Sequence, residues 1–151
     1  MALSVLVLVA LLAGCGDDGG GKTASGNKKD DPSVMIRQPK QDATAECPVV
    51  LRVKGRKLKL LGGEAEPATG EETPDRVSAR IHGLVDRAAP AAGATVPKAD
   101  GSTVVDFNQG RASVAKLPAG EHEVIVIAAT ENRKVLTPVI KDQVAFKVEA
   151  C

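Results

Sequence analysis

Aromatic residues are nearly missing from this chain: it has no Trp, no Tyr and only two Phe, Phe107 and Phe146. Sugar-binding faces and single-strand nucleic-acid platforms work by stacking on exposed rings, so the sequence argues against both. A core without rings must be assembled from Val, Ile, Leu and Ala. Charge of one sign is lacking as well. With 20 Lys and Arg against 19 Asp and Glu, the formal net charge is +1, which argues against a nucleic-acid partner bound through neutralised phosphates. His is scarce, at two residues, and Cys numbers three. Nucleophilic hydrolysis needs a Ser or Cys beside a His that a third group orients, and no Gly-x-Ser-x-Gly elbow is present. No pair of carboxylates stands out for acid-base work, and the chain is not expected to be an enzyme.

Long hydrophobic runs are absent beyond the first 13 residues, which are almost wholly apolar and too short to span a bilayer stably. They end in Leu12-Ala13-Gly14-Cys15, which has the form of a bacterial lipobox. The stretch resembles a lipoprotein signal peptide. That resemblance implies cleavage before Cys15 and acylation of its sulfur by diacylglycerol, with residues 1–14 removed. It also implies a place in the bacterial cell envelope, with the domain facing the periplasm or the exterior. The run lacks the Lys or Arg usual at such a start, as it would if translation began upstream.

Residues 15–33 hold the lipidated Cys and a Gly-, Asp-, Lys- and Ser-rich stretch without periodicity, read as a flexible tether. Gly16 and Gly21-Lys22-Thr23 match P-loop spacing. A P-loop needs a buried strand before it and a helix after it, and neither pattern is present, so no nucleotide is expected.

Residues 34–151 are enough for one domain with a core. Their centre is 117–130, LPAGEHEVIVIAAT. His122, Val124, Val126 and Ala128 alternate with Glu123, Ile125, Ile127 and Ala129, so both faces of this strand need cover. Shorter strands are expected at 34–37, 49–55, 77–86, 103–107, 112–117 and 143–149. In 77–86, Val77, Ala79 and Ile81 should point inward and Ser78, Arg80 and His82 outward, with a bulge at Gly83. Residues 62–75, with Glu64, Glu66, Glu71, Glu72 and Asp75, read as an acidic loop. No stretch has helical periodicity. Seven strands between turn signals predict an all-β fold, an immunoglobulin-like antiparallel β-sandwich. Such domains often enter their sixth strand through a similar Pro-Gly corner followed by a Tyr. His122 stands at that position, as a corner brace or, alternatively, as a ligand.

With Cys15 acylated, Cys47 and Cys151 remain in a non-cytosolic compartment and are expected to form a disulfide; the alternative is a free terminal thiol. The order of Gln38-Pro39-Lys40, Val53-Lys54-Gly55, Ile81-His82-Gly83-Leu84-Val85-Asp86, Val96-Pro97, Asp106-Phe107, Leu117-Pro118-Ala119-Gly120-Glu121-His122 and Pro138 resembles an uncharacterised bacterial family of exported domains. That family is one of the numbered domains of unknown function, with a His-rich strand of HHHLLID type. Here only His82 of its three successive His remains, and Arg80, Ile81 and Asp106 occupy other His positions. On antiparallel neighbouring strands, His82 and His122 could meet, and with Asp86 or Asp106 would offer a site for zinc or copper.

Arg52, Lys54 and Arg56, continued by Lys57 and Lys59, form a basic stripe that could meet anionic lipid headgroups or a cell-wall polymer, or be a solvated strand face. The expected function is that of a membrane-anchored envelope lipoprotein, a binding or structural module for an unknown envelope protein or polymer. The alternative is a periplasmic copper- or zinc-binding protein using His82 and His122.

Overall fold

The computed structural model describes residues 31–62 and 76–149. The signal-like segment, Cys15, nearly all of the tether and of the acidic loop, and Cys151 lie outside the described residues. Nine strands and no helix make up the described part: β1 Ser33–Gln38, β2 Ala43–Ala45, β3 Val49–Arg56, β4 Leu58–Leu60, β5 Val77–Val85, β6 Val104–Asp106, β7 Arg111–Val114, β8 Gly120–Ala129 and β9 Lys141–Val148. They form two sheets, one ordered β1-β3-β7 and the other β2-β9-β8-β5-β4, with β6 on β5. This is the all-β sandwich expected of an immunoglobulin-like fold. The seven expected strands are present. The two additions, β2 and β4, are three-residue strands that pair in parallel with β9 and β5.

β8 lies inside the larger sheet, antiparallel to β5 on one side and to β9 on the other. Its two apolar faces enter two separate clusters. Val124, Val126 and Ala128 pack between the sheets with Val49, Leu51, Ile81, Phe107 and Phe146. Ile125, Ile127 and Ala129 pack with Leu84, Val96, Val104 and Val135 on the opposite face. The second cluster is roofed by connecting chain. The bridge Thr95 to Lys134 holds the stretch after β5 against the stretch after β8, and the bridge Ala129 to Val135 folds the latter back onto the end of β8.

That roof corrects the expected orientation of β5. His82 was expected to point outward; it does lie on the face opposite Ile81, but at 1% exposure it is buried, because loops cover the face that a two-layer sandwich would leave to solvent. Val77, expected inward, is exposed at the sheet edge opposite Leu58. Gly83 is not a bulge, since β5 pairs with β8 in unbroken register from Arg80 to Val85. Its small size serves a close approach instead: an added Cβ would meet Val105 Cγ2 at 2.8 Å and Phe107 at 3.2 Å.

Candidate functional site

Asp86 follows β5 with φ 51° and turns its carboxylate onto the start of β8. One oxygen accepts the Glu123 amide at 2.9 Å, and the other lies 2.6 Å from His122 Nδ1. His122 Nε2 is 2.8 Å from the Pro118 carbonyl. Both ring partners are acceptors, so only the protonated imidazole, a donor at each nitrogen, satisfies both. Burial works against that charge, but the hydrogen bonds to Asp86 and Pro118 and the charges of Asp86 and Glu121 outweigh it and raise the pKa. The ring leans on Phe146, with centroids 5.9 Å apart. His122 thus braces the Pro-Gly corner through backbone upstream of it.

His82 forms the second pair on the other face of the sheet. Its Nδ1 is 2.6 Å from Asp106 Oδ1, on the neighbouring β6. Asp106 Oδ2 accepts from Arg133 at 2.8 Å. Arg133, at φ 61° in the turn after β8, also donates to the Val96 carbonyl at 3.1 Å and to the Pro97 carbonyl. Burial lowers the His82 pKa, the Arg133 and Arg80 charges add to that, and the Asp106 contact opposes it without prevailing. The shift favours the neutral ring, which can donate from Nδ1 to Asp106, and Nε2 is buried with no hydrogen-bond partner. Asp106 stays ionised: burial opposes its charge, but Arg133 and His82 overcome that and lower its pKa.

The four residues considered as metal ligands are thus divided into two pairs. His82 lies opposite Ile127 in the ladder, five positions along β8 from His122, or roughly 16 Å at strand rise. The two rings also project from opposite faces of the sheet. His82, His122, Asp86 and Asp106 form no common site, and among the described residues no group of three or more His, Cys, Asp or Glu is arranged to hold a metal ion. β5 and β8 are antiparallel neighbours, as expected, but the register sets His82 and His122 on opposite faces.

The basic stripe is assembled more fully than the sequence suggested. Arg52, Lys54 and Arg56 are exposed on β3. Ladder partners set Met35 beside Lys54 and Arg111 beside Arg52, and Arg37 is exposed at an irregularity in β1. Arg37, Arg52, Lys54, Arg56 and Arg111 therefore gather on the outward face of the three-stranded sheet, with Met35 half-exposed among them. Among the described residues, the ion pairs involve none of these five. Among the described residues, the Arg56 guanidinium donates to the Asp31 carbonyl at 3.5 Å. Lys59 lies apart on β4. Arg37 and Arg111 escaped the sequence reading because they lie on other strands, although the alternation of β1 and β7 places both outward.

A cleft of about 600 Å³ opens at one end of this sheet, between Arg37, Lys40, Glu46, Pro48 and Val50. Its lining contains one carboxylate and no His, Ser or Cys. No family model, no curated protein and no solved structure matches this chain.

Proposed function

We propose that this chain is an exported lipoprotein of the bacterial cell envelope, tethered through lipid on Cys15, whose sandwich serves as a binding or structural module rather than an enzyme. The observation that carries the binding role is the cationic face of β1, β3 and β7, on which five side chains have no carboxylate partner among the described residues. Neither His is placed for chemistry. His122 has both nitrogens committed to the corner, and the spare nitrogen of His82 is buried. The lipobox-like Leu12-Ala13-Gly14-Cys15 supports the location.

The reading includes a disulfide between Cys47 and Cys151. Support comes from the disulfide-bonded state of Cys47 and from the parallel register of β2 with β9. Ala45 lies opposite Val148, two residues before Cys47 on one strand and three residues of sequence before Cys151 on the other. The bridge would close a loop of about a hundred residues and stabilise the fold by about 4–5 kcal/mol on the chain-entropy model.

Photocrosslinking in intact cells tests the binding role. A crosslinking residue at exposed Ser113, within the basic face, should yield adducts in the membrane fraction. One at Glu131, in the turn after β8, should yield none. Equal yields from both sites, or none from Ser113, would reject the cationic face as the working surface.

A further inference from the structure

The cationic face belongs to the sheet through which the tether enters the fold. Ser33, the first residue of β1, lies opposite Arg56 at one end of that face. Between Cys15 and Ser33 run about 17 residues, and a Gly-rich coil of that length would span roughly 20–25 Å root-mean-square. A β3 strand of eight residues is about 26 Å long. An acyl group on Cys15 would therefore hold the domain within about its own width of a bilayer, with the β1-β3-β7 sheet at the point of attachment.

From this juxtaposition we infer that the outward face of β1, β3 and β7 docks flat on the anionic surface of the bilayer to which the chain is anchored. The inference rests on the lipoprotein reading above and names the partner of that face. Its chemistry fits phosphate headgroups. Arg52 and Arg111 are ladder neighbours, and Lys54 sits one pleat along with Met35 at its side. The guanidinium groups offer forked donors to phosphate oxygens, and the Met35 thioether offers an apolar contact among the headgroups. A lipid anchor and a basic patch reinforce each other, because a tethered patch meets the surface at high effective concentration. The face carries no ring to stack on a sugar polymer, which makes anionic headgroups the better partner.

The test uses the full mature chain with Cys15→Ser, so that no acyl group contributes. It is sedimented with vesicles of phosphatidylcholine, with or without 30% phosphatidylglycerol. Sedimentation with the anionic vesicles alone is expected. Binding should fall at least about tenfold in Arg52→Glu/Lys54→Glu/Arg111→Glu, with an unchanged thermal midpoint, and also in 0.5 M salt.

Equal sedimentation with both vesicle types, binding unaffected by the triple substitution, or salt-sensitive dimerisation without vesicle binding would overturn the inference. Labelled palmitate fed to cells separates the two readings. Label on the wild-type chain that Cys15→Ser abolishes upholds the anchor whatever the vesicles show, and vesicle binding without label upholds the face while rejecting the anchor.

Discussion

The two faces of the large sheet are closed in different ways, and each closure has its own His-Asp pair. Toward the small sheet, strands meet strands over Val49, Leu51, Ile81 and Phe146, and His122 braces the corner at one end of that face. On the far side, connecting chain folds down over Leu84, Ile125 and Ile127, and His82 joins that cover through Asp106 and Arg133. The residue pair is the same and the contact is 2.6 Å in both places. What differs is the second ring nitrogen. Beside its Asp86 contact, a carbonyl at Nε2 favours the charged ring of His122 and helps raise its pKa, while burial, with no acceptor at Nε2 to offset it, lowers that of His82. A His-Asp contact therefore does not define a chemistry until the other nitrogen is accounted for.

The largest expected effect compares the two closures by truncation. Ile81 and Ile127 are buried on opposite faces, at 2% and 0% exposure. Ile81→Ala leaves a cavity between two hydrogen-bonded sheets that cannot close in, and should cost about 4 kcal/mol. Ile127→Ala opens its cavity beneath connecting segments that can settle, and should cost about 2–3 kcal/mol. Urea unfolding of both variants measures the difference, and equal losses would mean that the loop cover is as rigid as a sheet.

A smaller loss is expected where the first closure is already tight. Gly83→Ala would drive a methyl group into Val105 and Phe107, at a cost of about 1–3 kcal/mol for overpacking. If the Val105 and Phe107 side chains yield instead, the loss falls below 1 kcal/mol and the contact between β5 and β6 is softer than its distances imply. The same denaturation series reads it.

How much of this was legible beforehand follows the same division. The alternation of 117–130 announced a central strand with two covered faces, and the turn signals separated the other strands along the chain. The corner role of His122 was also readable, because Pro118 lies four residues upstream and the brace is local. The cover over His82 was not. It depends on Arg133 reaching Asp106, Val96 and Pro97 across 27 to 37 residues of chain, and no periodicity encodes such a contact. The same limit hid the separation of the metal-candidate residues, because whether two side chains on paired strands share a face depends on the register, which the sequence left open. The cationic face was half legible: β3 displayed three of its cations in one run, while Arg37 and Arg111 joined them only through pairing.

The smallest effects separate the two pairs most sharply, because they are read as slopes against pH. In an unfolded chain both His titrate near the ordinary value of 6.5. The folded pKa of His122 is raised, so its contribution is fully present below pH 6.5 and is lost as pH climbs through the folded value. The folded pKa of His82 is lowered, so its contribution is present above pH 6.5 and is lost as pH falls through the folded value. The two windows lie on opposite sides of 6.5, and together they place a stability maximum near that pH. His122→Gln should flatten the alkaline limb and leave the acid limb intact. His82→Leu, which keeps Asp106 on Arg133, should flatten the acid limb alone. Thermal midpoints taken from pH 5 to pH 8 on the three proteins decide the matter. If either substitution flattened both limbs, the two pairs would be coupled through the sheet rather than set independently by what each Nε2 meets.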